Sequence, residues 1–315
     1  MRILANDGID PAGKALLEAA GFSLDTDKIP QSKLKEEIGA YDVLVVRSAT
    51  KVTAEILEAS KLKLIARAGV GTDNIDMEKA AALGIPVVNT PNAGSRSVAE
   101  LVFAHLFSLA RFLPVCNRIM PERGISAFSD LKKMASGGFE LKGKKLGIIG
   151  FGRIGKEVAR MAIGLGMEVL PYDHKHNDYK VDVPLHPALK MEALWVDLPE
   201  HSMEEVLQQS DFLTLHTPGA DEVLGAREMK MMKPGAVLIQ CARGGVVNEA
   251  ALLEALNTGH LSYAGLDVFE NEPPTDDHLL KHPNVSLSPH IGASTKEGQE
   301  RIGLELAERI IQHFG

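Results

Sequence analysis

Short aliphatic runs alternate with helix-period segments along the whole chain. That rhythm predicts parallel sheets covered by helices. In the first third, strands are expected at 2–6, 41–47, 62–67 and 85–90. Helices are expected at about 11–21, 53–60 and 76–83. Asp10 followed by Pro11 marks the first helix start, because aspartate accepts from free amides and proline has no amide to leave unpaired. A long apolar helix opens near Ser97, where Glu100 stands at capping-box spacing, and is expected to run to Leu113. The polar segment after it, ending in Ser136-Gly137-Gly138, reads as part of a dimer or domain contact.

A second strand–helix series begins at Lys145. Strands are expected at 146–150, 167–172, 212–216, 236–242, 263–267 and 285–288. Residues 174–201, with Pro184, Pro187 and Pro199, lack periodicity and read as an irregular surface insertion. A last helix at about 295–314 is placed to return to the first series. The fold class is therefore α/β, with two doubly wound parallel-sheet domains and a cleft between them. The first, flavodoxin-like, is discontinuous (1–96 and 291–315); the second, Rossmann-like, is 97–290.

Composition narrows the function. The 315 residues exceed what one core usually serves. A formal net charge of −8 argues against a nucleic-acid partner. Cys116 and Cys241 form no disulfide framework and suit a reducing compartment. Without a signal pattern or a spanning apolar run, the expectation is a cytoplasmic protein with no membrane partner.

Gly150-Phe151-Gly152-Arg153-Ile154-Gly155 is a G-x-G-x-x-G placed after a predicted strand and opening a helix. In that setting the glycines allow a tight turn, an approach of pyrophosphate to backbone, and close helix–strand packing. Asp173 ends the next strand, about twenty residues on, where an acid receives ribose hydroxyls and repels a 2′-phosphate. The cofactor expected is NAD. His174, Lys175 and His176 follow Asp173 and leave NADP open.

Ligands of open α/β sheets lie beyond the carboxyl ends of the strands. Those ends carry Arg47-Ser48, Arg67 to Gly71, Asn89 to Asn92, Thr217-Pro218, Arg243-Gly244-Gly245, Asp267 and His290. Arg243 suits a substrate carboxylate. Hydride leaves a hydroxyl-bearing carbon only as the hydroxyl proton departs, which calls for a base, and His290 is the candidate, with Glu272 on its other ring nitrogen. Taken singly, His290 is a capping or packing residue, Glu272 belongs to a turn and Arg243 to an ion pair; the order behind a dinucleotide fingerprint favours chemistry. A metal site at Asp173, His174, His176 and Asp178 is weighed and set aside for a solvated loop, so no metal is expected.

The segments 150–155, 242–247, 265–273 and 289–295 together resemble the D-isomer-specific 2-hydroxyacid dehydrogenases, over nearly the full chain. The resemblance implies Arg243, Glu272 and His290 as catalytic residues. It implies a cofactor site of Val70, Gly150, Gly152, Arg153, Ile154, Gly155, Asp173, Thr217, Pro218, Cys241, Ala242, Asp267, Gly292 and Ala293, with Asp267 on the nicotinamide amide. The segments 46–50, 67–76 and 89–100 resemble a branch that takes a phosphorylated 2-hydroxy or 2-oxo acid. Arg47, Ser48, Arg67, Gly69, Val70 and Arg243 then bind substrate, with Arg47 and Arg67 suited to its phosphate. A homodimer through the NAD-binding domain is also implied. Three departures stand out: Gly94 replaces the family's usual Asn, Leu131 with Lys132 or Lys133 replaces a usual Trp and Arg, and 174–201 is longer. The chain's end at Gly315 leaves no room for regulatory domains, so no serine feedback is expected.

Overall fold

The computed structural model describes residues 1–175, 178–184, 188, 193–219, 221–275 and 277–315. Their contacts divide the chain into two compact units, 1–97 with 293–315, and 98–292.

The first unit is built on strands β1 (Arg2–Ala5), β2 (Ser23–Asp25), β3 (Val43–Val46), β4 (Leu64–Arg67) and β5 (Val87–Asn89). They pair in parallel in the order β2-β1-β3-β4-β5. Helices α1 (Pro11–Ala19), α2 (Gln31–Glu37), α3 (Ala54–Ala59) and α4 (Met77–Ala82) cross between strands, and a 3-10 turn (Ile38–Ala40) extends α2. Every residue of β3 is buried, as a strand with packed helices on both faces requires. One core layer centres on Leu44, Ile56 and Ile65; the other centres on Val45, Leu64 and Leu306.

Two long helices follow, α5 (Ser95–Ala110) and α6 (Leu113–Ala135). The expected helix to Leu113 stops early, because Phe112 takes a left-handed backbone (φ 56°) and the axes bend by 59°. The segment expected to be only a polar contact is the 23-residue α6. Its stripe is thin: among the described burial, Ala127 and Leu131 face inward at i,i+4, while Pro121 deprives it of one helical hydrogen bond. Arg118 fastens it by donating to the carbonyls of His282 and Val285. No single described helix is long and apolar enough to cross a membrane.

The second unit holds β6 (Lys145–Ile149), α7 (Arg153–Gly164), β7 (Glu168–Tyr172), β8 (Lys180–Pro184), β9 (Ala193–Asp197), α8 (Met203–Gln209), β10 (Phe212–Leu215), α9 (Ala226–Met231), β11 (Ala236–Gln240), α10 (Glu249–Asn257), β12 (Leu261–Leu266), α11 (Asp277–Lys281) and β13 (Val285–Leu287). Its main sheet is parallel throughout, ordered β13-β12-β11-β10-β6-β7. The strand order reverses between β6 and β10, the place where doubly wound sheets bind ligands. The helix α12 (Lys296–Phe314) belongs to the first unit, where it packs against α1.

Residues 174–201 differ from the irregular loop expected. β8 and β9 form an antiparallel hairpin, registered from Lys180↔Asp197 to Pro184↔Ala193. Val181 is buried against the core, and Arg160 of α7 holds Asp182 through both its carbonyl and its carboxylate. The alternation in Lys180 to Pro184 is too short to stand out among the prolines. Pro187 lies outside the described residues.

Candidate functional site

Six loops, one beyond the carboxyl end of each strand of the second unit's main sheet, carry most of the residues in question. The first follows β6. Gly150 has φ 91°, and a Cβ there would meet the His216 carbonyl carbon at 2.6 Å, so the turn is open to glycine alone. A Cβ on Gly155 would stand 2.3 Å from Gly150 O, which is the close helix–strand packing expected of the third glycine. A Cβ on Gly152 would meet nothing within 4 Å. No side chain caps the start of α7. The fingerprint thus presents free amides beside an unfilled space, which fits a pyrophosphate. Asp173, just past β7, accepts from Phe151 N at 2.8 Å and from Lys175 N at 3.0 Å. The residues present fit a dinucleotide.

Thr217 follows β10; its hydroxyl is buried and has no partner among the described residues. Pro218 beside it is exposed. His216, just before, is held below the usual histidine range, at about 3, by burial. Cys241 is buried after β11, and burial pushes its thiol well up, which makes it a packing group. The loop that continues through Ala242 to Arg243 is set by Gln240. Its buried amide accepts from Ala242 N at 3.2 Å and donates to Arg243 O at 2.8 Å. A Cβ on Gly244 would lie 1.8 Å from Phe269 O, so this loop rests directly on the turn that carries Glu272.

Asp267 lies just past β12, and His290 just past β13. The Nδ1 of His290 stands 2.7 Å from Oε2 of Glu272. Both side chains are partly exposed, at 44% and 38%. His290 has a left-handed backbone (φ 53°), rare for a residue with a Cβ. Its N–H donates to Asp267 O at 2.8 Å. The Asp267 carboxylate accepts from Ser288 Oγ at 2.7 Å, and from the N–H groups of Ile291 and Gly292 at 2.8 Å each. The loop bearing the histidine is thereby wound around one buried acid. Phe269, Pro274, Leu280 and Leu287 line an apolar pocket against the His290–Glu272 pair.

In the first unit, Arg47 and Ser48 follow β3, and Arg67 closes β4. The segment 47–50 is pinned from β1's end. Asp7, with a side chain 3% exposed, accepts from Arg47 N at 2.8 Å, Thr50 N at 3.0 Å and Thr50 Oγ1 at 2.7 Å. Asn74 donates to the carbonyls of Arg47 and Thr50, both at 2.7 Å. β1 and β3 are the strands at which this sheet reverses order, so the pinned loop sits at its switch point. The Arg67 guanidinium folds over Gly69 and donates to Ala68 O at 3.2 Å. Asn89 holds Val70 O at 2.6 Å, leaving the Val70 side chain exposed. Gly94 has little room to be larger, since a Cβ would stand 3.2 Å from that of Ala293.

Asn6, which donates to Thr50 Oγ1 at 2.9 Å, and Asp7, Asn74, Gln240 and Ser288 organise these loops and escape the sequence reading. Only Asn74 falls inside a motif segment singled out there (67–76); Asn6, Gln240 and Ser288 stand there only as members of expected strands. Among the described residues no group of three metal-ligating side chains comes together; His176, in the metal site weighed above, lies outside them.

The second unit is the dinucleotide-binding half of an oxidoreductase. Residues 103–292 match the family model of the D-isomer specific 2-hydroxyacid dehydrogenase NAD binding domain, and the chain belongs to that family, whose members are NAD-dependent oxidoreductases acting on CH–OH groups. It is 41% identical to a hydroxypyruvate reductase of Thermotoga maritima, covering 100% of this chain and 98% of the relative. It is 40% identical to the D-3-phosphoglycerate dehydrogenase of Bacillus subtilis, over 98% of this chain but 55% of that protein's length. Among solved structures, an acyclic imino acid reductase in complex with NADPH and D-Arg superposes with a TM-score of 0.83 at 25% identity, over 100% of this chain and 97% of the other.

Proposed function

We propose that this chain is a D-3-phosphoglycerate dehydrogenase, interconverting 3-phosphoglycerate and 3-phosphohydroxypyruvate in serine biosynthesis. The observation that carries the substrate choice is the pair of cations Arg47, just past β3, and Arg67, at the end of the neighbouring strand β4 of one sheet. Together they suit a dianionic phosphate. Arg243 binds the substrate carboxylate.

His290 takes the hydroxyl proton on its Nε2, since its Nδ1 is engaged by Glu272. Glu272 fixes that tautomer and stabilises the imidazolium as it forms. NAD, held at the glycine loop and Asp173, supplies the hydride acceptor. In the reductive direction His290 returns the proton to the new alkoxide while Arg243 polarises the carbonyl. Asp267, with one acceptor site left on its carboxylate, takes the nicotinamide amide.

A second reading is hydroxypyruvate or glyoxylate reduction, favoured by the full-length match to the Thermotoga enzyme. NADH oxidation with phosphohydroxypyruvate, hydroxypyruvate and glyoxylate in parallel separates the two. Strong preference for the phosphorylated acid supports the first; preference for the others supports the second and removes Arg47 and Arg67 from phosphate binding.

The free thiols Cys116 and Cys241 suit the cytoplasm. The protein is proposed to dimerise through its second unit, where α6 exposes Met120, Ile125 and Phe128. Light scattering of Ile125→Glu beside the unaltered chain tests this: a lighter species is expected, and two equal masses would remove α6 from the interface.

A further inference from the structure

One buried titratable group has no part in the chemistry above. His105 sits on α5 in an otherwise apolar stretch and is 4% exposed. Its Nδ1 lies 2.8 Å from Ser286 Oγ, and its Nε2 lies 3.0 Å from Ser288 Oγ. A Cβ on Gly265 would meet His105 Cβ at 2.8 Å, so β12 gives up a side chain there to admit the ring.

Donor and acceptor roles in this chain are forced by its last member. The Asp267 carboxylate can only accept, so Ser288 spends its single proton on Oδ1. Ser288 must then accept from His105, which places the ring proton on Nε2. Nδ1 is left as an acceptor, and Ser286 donates to it. Burial, opposed by the charge of Asp267, keeps the ring on the neutral side. The hydrogen bonds therefore all run one way, from Ser286 through His105 and Ser288 to Asp267. At the far end, Asp267 holds the amides of Ile291 and Gly292 and, through its carbonyl, that of His290.

We propose that His105 is a positioning residue: it orients Ser288 and Asp267 from behind, and so fixes the left-handed loop that presents His290. The proposal rests on His290 being the proton acceptor. A buried ladder of this kind is effective because each member has one satisfied geometry, and releasing one leaves the next free to rotate. Displacement of a reacting group by about 1 Å is enough to cost about a hundredfold in rate.

The test is steady-state kinetics with NADH and 2-oxo acid on four variants of the full chain. His105→Leu removes the donor, while His105→Gln keeps an N–H at a similar reach. Ser288→Ala breaks the next link, and the fourth variant combines His105→Leu with Ser288→Ala. Expected are a ten- to hundredfold fall in kcat with little change in substrate KM for each single loss, and recovery in the glutamine variant. The double variant should be no slower than the worse single one, because both act through one chain. Faster hydrogen exchange at 288–292 in His105→Leu should accompany the loss. Unchanged kcat in His105→Leu, no advantage of Gln over Leu, or multiplied effects in the double variant each overturn the proposal. If His105→Leu does not fold, slow Ser288→Ala beside near-normal His105→Gln supports it, and two variants of equal rate refute it. His290→Ala serves as the separate control. Retained turnover there removes the underlying reading, whereas loss there with normal His105→Leu removes only this one.

Discussion

Phe151 donates its backbone N–H to Asp173 at 2.8 Å, so the middle of the glycine loop is tied to the acid just past the next strand. In the cofactor site proposed above, Asp173 would therefore serve two parts of a dinucleotide: its own oxygens for the ribose, and the shape of the loop for the pyrophosphate. Asp173→Ala is expected to weaken NADH by roughly ten- to hundredfold, the value of a hydrogen bond to a charged group. NADPH should lose less, because repulsion of its 2′-phosphate disappears as well. Fluorescence titration with both cofactors measures this. Equal losses would mean that Asp173 acts through the loop alone.

The pairing of His290 with Glu272 predicts a graded series. His290→Ala should lower turnover by about a hundred- to ten-thousandfold, the range for a positioned acid or base. Glu272→Gln retains a hydrogen-bonding partner but loses the charge, and should cost less. NADH binding measured by titration should stay near normal in both. Near-normal turnover in His290→Ala would take this residue out of the mechanism.

Asp7 holds the loop of Arg47 and Ser48 by three hydrogen bonds from a buried position. Asp7→Ala should release that loop and raise the substrate KM several-fold, with kcat less affected. It should also destabilise the protein by about 1–3 kcal/mol, the cost of leaving buried donors unpaired. Kinetics and urea unfolding report the two effects separately; an unchanged KM would detach the 47–50 loop from substrate binding.

Burial lowers the proton affinity of His105, His216 and His282 in the folded chain, His216 to about 3. As pH falls through about 6.5, the unfolded chain takes up protons on these rings and the folded chain lags behind. Stability from these groups is thus complete above that pH and declines below it, down to about 3 for His216. Carboxylates add little until about pH 4–5, so urea unfolding between pH 7.5 and 5 isolates the histidines. A shallower slope in His216→Asn is expected, and an unaltered slope would show that the ring is protonated in the native state.

Strands buried on both faces, such as β3 and β6, were legible because unbroken aliphatic runs admit few other structures. The glycine loop was legible because its spacing sits between strand and helix signals. α6 was not, since Pro121 and Gly124 interrupt a face with only Ala127 and Leu131 buried. The β8–β9 hairpin was not, since its pairing partners lie far apart across prolines. In the site, residue type pointed to Arg243, Glu272 and His290 before any geometry. Their supports did not declare themselves: Gln240 reads as part of a strand, His105 as an odd residue on a greasy helix, and Asp7 as a turn. Asp7 and His105 make contacts distant in sequence, which no local pattern encodes, while Gln240 folds back on residues two and three ahead of it from a position that looks like plain strand.

The left-handed backbone of His290 sets chemistry against sturdiness at a single position. A side chain with a Cβ is uncomfortable there, while glycine or asparagine is at ease. The residue best for the fold is thus one that cannot move a proton. If His290 is the base proposed above, a Gly or Asn variant at this position would be slow yet relaxed, a form in which substrate and cofactor could sit together and react only rarely.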